Sequence, residues 1–133
     1  MIKFLLDTNI CIYIIKKKPI QVIKHLQSLE IYDVGISSIT LSELEYGISK
    51  SAKPEQNKLA LAKFLAPIEI LPYNDASAEK YGAIRSNLEK VGTPIGPLDT
   101  LIAAHALSLG CILVTNNVKE FRRIKGLQIE NWI

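Results

Sequence analysis

The chain has 133 residues, 48% of them hydrophobic and 22% charged, a balance that suits one folded domain and excludes a disordered tail. Its net charge of +3 permits a polyanionic partner without requiring one. The two cysteines, Cys11 and Cys111, sit in apolar runs a hundred residues apart, which argues against a disulfide framework and for buried, reduced thiols.

Residues 2–6 read as a fully buried strand that ends at Asp7. The opening fifteen residues are apolar enough to imitate a secretory leader. However, Asp7 and Asn9 interrupt the run and Lys16, Lys17 and Lys18 follow it, the reverse of a leader's charge order, so a cytoplasmic chain is expected. No stretch reaches the roughly 18 apolar residues needed to cross a bilayer. Ile10 to Ile15 predicts a short helix ended by the lysines and Pro19. The spacing of Ile20, Ile23, His25, Leu26 and Leu29 predicts a second. Val34 to Ser37 reads as a short strand, Thr40 to about Lys50 as an amphipathic helix, and Pro54 opens another helix carrying Leu59, Leu61 and Leu65. Ile68 to Leu71 alternates as a strand. Ala76 to about Lys90 follows as a helix with Ala78, Tyr81, Ile84, Arg85 and Leu88 as its spine. Pro97 starts a helix that runs to Leu109 and closes at Gly110. Cys111 to Thr115 is a second continuous apolar strand, followed by a short helix near Val118–Arg122 and an edge strand near 128–133. Strands alternating with helices, the strongest of them apolar throughout, predict an α/β sandwich with a mostly parallel sheet covered on both faces.

Polar residues recur where these elements meet. Asp7-Thr8-Asn9 fits a helix cap, Thr40 with Glu43 and Asn117 with Glu120 fit capping boxes, and Asp99 suits the first turn of a helix dipole. Each alone is as well explained by capping as by chemistry. Jointly they fall at the carboxyl edge of a parallel sheet, where α/β proteins bind ligands. Carboxylates gathered there repel one another unless a cation lies between them, and hard oxygen donors suit Mg²⁺ or Mn²⁺. No histidine–cysteine cluster favours zinc. His25 and His105 lie in apolar helical patterns and read as core or half-buried residues. His105, six residues beyond Asp99, is expected on another helix face, and Tyr46 and Trp132 are expected to pack. Of the two basic groups, Lys119, Arg122, Arg123 and Lys125 follow the acids more closely than Lys16–Lys18 and are the better candidates to track a nucleic-acid backbone.

Four blocks, LLDTN at 5–9, SSITLSELEYG at 37–47, IGPLDTLIAAHA at 95–106 and LVTNNVKEF at 113–121, resemble the PIN-domain ribonucleases, and most nearly the VapC toxins of bacterial toxin–antitoxin pairs. The resemblance spans essentially the whole chain and implies a single PIN domain over residues 1–133, a three-layer sandwich. It further implies a Mg²⁺-dependent (or Mn²⁺-dependent) endoribonuclease in which Asp7, Glu43 and Asp99 form the acidic core and Asp7 and Asp99 are the principal metal ligands. The family's fourth acid is replaced here by Asn117, with Glu120 one turn on as a source of charge, so Asn117 and Glu120 complete the implied catalytic set. Thr8 and Thr115 flank the acids and are expected to position them. The same resemblance implies a VapB-type antitoxin as partner, docking near helices 10–15 and 20–29, a homodimer, and structured tRNA as substrate, by analogy the initiator tRNA anticodon loop. Two rivals remain on the residues themselves. A phosphatase of the haloacid-dehalogenase type would need an acid where Asn9 stands, and a non-catalytic PIN-like binding module would account for Asn117.

Overall fold

The two most apolar runs of the sequence lie side by side at the centre of a five-stranded parallel sheet in the computed structural model, which describes residues 1–133. Strand β1 (Phe4–Leu6) pairs with β2 (Val34–Ser37) on one side and β4 (Ile112–Val114) on the other. Strands β3 (Glu69–Leu71) and β5 (Ile129–Glu130) form the edges, giving the order β3-β2-β1-β4-β5. Every pairing is parallel, so every connection is a crossover. Helices α1 (Thr8–Lys16) and α2 (Ile20–Gln27) link β1 to β2, and α3 (Ser38–Ser49) and α4 (Pro54–Leu65) link β2 to β3. Helices α5 (Asp75–Lys90) and α6 (Pro97–Leu109) link β3 to β4, and α7 (Val118–Phe121) precedes β5.

Side chains alternate across a strand, and this divides the interior in two. Leu5 enters a core with Leu113, Ala103, Leu88 and Phe121, built mainly from α5, α6 and α7. Leu6 enters the opposite core with Ile36, Val114, Ile10 and Trp132, under α1 to α4. Each such fully buried aliphatic side chain contributes on the order of 1.5–3 kcal/mol. Gly35, between Val34 and Ile36, is held small by its neighbour strand, since a Cβ there would lie 3.0 Å from the Glu69 carbonyl oxygen. Gly110 ends α6 with φ 67, the left-handed conformation that stops a helix at little cost to glycine.

The expected elements are all present, with some changes. Helix α3 starts at Ser38, not Thr40, because the Ser37 hydroxyl accepts the Ile39 N–H at 3.0 Å and caps the helix there. The buried face of α5 runs through Ser77, Ile84 and Leu88 with Tyr81 beside them, while Ala78 and Arg85 face solvent. Both cysteines are free and buried, and burial pushes the Cys111 thiol up to about 11. No helix is long and apolar enough to cross a membrane.

Register sets up the site. Leu6 is level with Ile36 and with Val114. The next residue of each chain segment is therefore Asp7, Ser37 or Thr115, three buried polar groups in a row at the carboxyl edge of the central strands.

Candidate active site

Asp7 stands at the switch point of the sheet, between β1, whose connection runs outward to β2, and β4, which the chain reaches only after crossing back from β3. Its backbone N–H donates to the Val114 carbonyl at 3.0 Å, extending the strand pairing by one residue. Its Oδ1 accepts the Ile10 N–H at 3.1 Å and caps α1, while Oδ2 accepts the Thr115 hydroxyl. Both readings of this residue thus hold together: it caps a helix, and it is a carboxylate only 4% exposed at the switch point. Burial raises its pKa above the usual value. The hydrogen bonds from Thr115, Ile10 and Asn9 pull the other way, and the charge of Glu43 adds to the rise.

Glu43 belongs to no capping box, since α3 is capped by Ser37. Its Oε1 instead accepts the Thr8 hydroxyl at 2.7 Å, across 35 residues of chain. Thr8 Oγ1 also lies 3.3 Å from Thr40 Oγ1, but it has one proton, and the shorter contact to a charged acceptor holds it. Asp99 is in the first turn of α6, after Gly96 at the cap and Pro97. Its carboxyl is pushed up to about 6, first by burial and then by the charges of Asp7, Glu120 and Glu43. Asp7 at the end of β1, Glu43 on α3, Asp99 on α6 and Glu120 on α7 thus lie within one electrostatic field.

Asn117 enters differently from expectation. Its side chain does not cap α7, so the second capping box is also absent. Its backbone N–H donates to Thr115 Oγ1 at 2.9 Å, which completes the chain Asn117–Thr115–Asp7. Glu120 is the group that supplies charge on this side.

None of the four acids is paired with a cation. The ion pairs of the molecule join Lys3 to Asp33, His25 to Glu130 and Arg85 to Glu89. Nor do three acidic, histidine or cysteine side chains close around one point anywhere in the chain. The expected tight carboxylate pocket is therefore an open anionic field. Each acid sits on its own element, and both oxygens of Asp7 already accept hydrogen bonds. An all-oxygen donor set without cationic partners fits a hard divalent ion that keeps several waters and takes one or two carboxylates.

Other residues take roles the sequence pattern does not announce. Arg123, exposed like Lys119, Arg122 and Lys125, donates to the Pro94 carbonyl at 3.1 Å and ties the end of α7 to the loop before α6. Lys16–Lys18 are exposed at the end of α1. Trp132 packs as expected, with the His25 ring stacked on it at 4.4 Å, whereas Tyr46 is 65% exposed with the Lys50 ammonium over its ring. His105 is buried, and its Nδ1 lies 2.7 Å from Ser37 Oγ. The signal for Ser37 is present in the sequence: it follows an apolar strand as Asp7 and Thr115 do. The Asn9 side chain is exposed, while its backbone N–H points to Asp7.

The model of the PIN domain family matches residues 4–127. The chain is 48% identical over 132 residues, 99% of each protein, to a Shigella flexneri protein described as "tRNA(fMet)-specific endonuclease VapC". Its fold matches a chain of a DNA-bound VapBC structure from Salmonella typhimurium with a TM-score of 0.94 at 47% identity, covering 100% of both chains. A promoter-DNA-bound VapBC2 structure from Rickettsia felis matches with a TM-score of 0.93 at 46% identity, again over both full chains.

Proposed function

Since the chain belongs to the PIN-domain family, and within it to the VapC ribonucleases, we propose that it is a metal-dependent endoribonuclease toxin. The observation that carries this reading is a set of four acids without a cationic partner at the switch point of the sheet, where burial first and then the charges of the other three push Asp99 up to about 6. The phosphatase alternative fails with the family assignment.

Asp7 and Asp99 are the groups that would hold the ion, Mg²⁺ or Mn²⁺ by the chemistry of their oxygens. When bound, it makes coordinated water a competent nucleophile near neutral pH and offsets charge on the phosphate. The remaining work falls to the chain. Thr115 and the Ile10 N–H fix both oxygens of Asp7, so this carboxylate cannot swing toward the substrate. Thr8 holds one oxygen of Glu43, leaving the other to orient the attacking water and take its proton. Glu120 adds charge beside Asp99, and exposed Lys119 and Arg122 attract the RNA backbone. The products carry a 5′-phosphate and a 3′-hydroxyl.

The substrate is proposed to be tRNA, with the initiator tRNA anticodon loop first among candidates, as the name of the Shigella relative suggests. The setting is proposed to be the cytoplasm. The partner is proposed to be a VapB-type antitoxin, because the relatives of matching fold are VapBC complexes. A groove of about 270 Å³ between α1, α3 and α4, lined by Ile12, Ile15, Leu44, Gly47 and Ile48, has Glu43 in its wall. An amphipathic helix seated there would cover the acids it runs beside. The groove uses α4 where the sequence suggested α2, whose Val22 instead packs into the core. Pairing of two copies belongs to the same proposal, with Ile70 on the edge strand β3 left exposed.

The test is digestion of total tRNA with Mg²⁺ and then with chelator, by wild type, Asp7→Asn and Asp99→Asn. Discrete fragments from wild type with metal alone, and none from either variant, are expected. Equal cutting by the variants at unchanged fold, or cutting in chelator, contradicts the reading.

A further inference from the structure

The four acids repel one another and stand on separate elements, so neutral contacts between those elements must set their spacing. Resting on the nuclease reading above, we infer that His105 is a positioning residue for the metal-binding acids, acting through Ser37 as an uncharged latch between the helix carrying Asp99 and the helix carrying Glu43.

The contact is built with care for its protons. Ser37 is fully buried and His105 is 1% exposed. Ser37 Oγ accepts the Ile39 N–H at 3.0 Å and has no other acceptor within reach for its own proton, which assigns that proton to His105 Nδ1, 2.7 Å away. Nδ1 is then the acceptor and the ring carries its proton on Nε2. Burial favours this neutral form by holding the imidazole below its ordinary pKa. The hydroxyl thus has two jobs, capping α3 and gripping α6. A second contact seats the same spot: the Tyr73 ring packs edge-on against His105 with centroids 5.7 Å apart, and the Tyr73 N–H donates to Ser38 Oγ at 3.0 Å.

Position gives the latch its leverage. His105 lies six residues after Asp99 on α6, and Ser37 lies six residues before Glu43 on the approach to α3. Six residues of helix are about 9 Å long, so a small shift at the latch tilts each acid at the far end. The other acid-bearing elements are joined likewise, α1 to α3 through Thr8–Glu43, β4 to β1 through Thr115–Asp7, and α7 to the loop before α6 through Arg123–Pro94. His105–Ser37 is the member of this ring that joins α6 directly to the sheet edge, and it touches no acid itself.

The experiment uses three variants of the full chain. His105→Leu keeps bulk but removes the acceptor. His105→Asn keeps an acceptor oxygen at the Nδ1 position. Ser37→Gly removes the hydroxyl while leaving a residue that tolerates the cap position. Mn²⁺ binding is measured by calorimetry and by electron paramagnetic resonance, and RNA cleavage is followed against metal concentration. His105→Leu and Ser37→Gly should each weaken Mn²⁺ binding about tenfold, the scale of a lost outer contact, with the double variant no worse than either. His105→Asn should stay within about threefold of wild type, since it restores the acceptor. Wild-type Mn²⁺ affinity in His105→Leu, or an Asn variant as impaired as Leu, overturns the inference. If His105→Leu fails to fold, Ser37→Gly decides by the same criterion. Wild type that neither binds Mn²⁺ nor cuts RNA overturns the nuclease reading as well, whereas active wild type with unaffected variants overturns the latch alone.

Discussion

Replacing Asp99 by asparagine should make the metal-free protein more stable at neutral pH. The carboxyl is pushed from 3.8 to about 6 in the folded chain, so the native state binds a proton more tightly than the unfolded state does. Between pH 4 and 6 the native state therefore carries more protons, and stability falls as pH rises through that window. Below pH 4 both states are protonated and no penalty remains. Above pH 6 both are ionised and the full penalty applies. A rise of that size corresponds to about 3 kcal/mol at face value. Solvent screening at a partly exposed side chain and the favourable dipole of the α6 N-terminus reduce it to about 1–2 kcal/mol. Asp99→Asn is nearly isosteric and removes the charge, so in EDTA at pH 7.5 it should gain about that amount in urea unfolding, or roughly 3–6 °C in Tm. At pH 3.5 the gain should vanish. With saturating Mg²⁺ the order should reverse, because only wild type gains stability from the bound ion. A variant no more stable than wild type in EDTA at pH 7.5, or equally stabilised at both pH values, refutes the electrostatic account of the site.

Two further substitutions probe the hydroxyls that hold the acids. Thr115→Val leaves Oδ2 of Asp7 and the Asn117 N–H without their partner, and should cost about 1–3 kcal/mol in urea unfolding at pH 7.5. Thr115→Ser, which restores the hydroxyl, should recover most of that loss, and equal stability of the Val and Ser variants would count against the assigned hydrogen bonds. Thr8→Val releases Glu43 at the rim of the site, and should lower kcat for RNA cleavage about 10–100-fold while changing stability by less than about 1 kcal/mol. A wild-type kcat there removes Glu43's dependence on Thr8.

How much of this is legible in the sequence depends on how local each contact is. Asp7 is readable because its strand, its cap and its helix run without a break over residues 4–16, and Asp99 because Pro97 announces the helix start beside it. Glu43 is readable as an acid near the sheet edge, but the sequence suggests Thr40 as the cap. Ser37 competes for the same role and wins, since it ends β2 in register with Asp7 and finds the Ile39 N–H in reach. Once the helix starts at Ser38, Glu43 is too far along to reach back to the cap and turns to Thr8 instead. The contact between His105 and Ser37 spans 68 residues and exists only because α6 packs against α3, whose cap Ser37 is, which no local pattern states. Tyr46 misleads for the opposite reason: an aromatic on an amphipathic helix suggests burial, yet its position on the turn faces solvent between exposed Glu45 and half-buried Gly47.

The choice of donors at this site follows from what the acids have to do. A lysine or arginine within reach of Asp7 or Glu43 would hold the carboxylate just as firmly, and would lower its pKa more than a hydroxyl does. It would also place a fixed positive charge where a divalent ion must bind, so the stronger tether would be the weaker metal site. Threonine hydroxyls, a helix N–H and a neutral imidazole escape this conflict. They fix geometry through single protons and leave the net charge of the four acids intact. The cost is that burial first and mutual repulsion second raise the Asp7 and Asp99 carboxyls, a penalty that a cation relieves and a proton relieves in part. The single arginine that does serve the ring of contacts, Arg123, fits the same logic: it grips the carbonyl of Pro94 and not an acid, tying α6 to α7 without neutralising either Asp99 or Glu120.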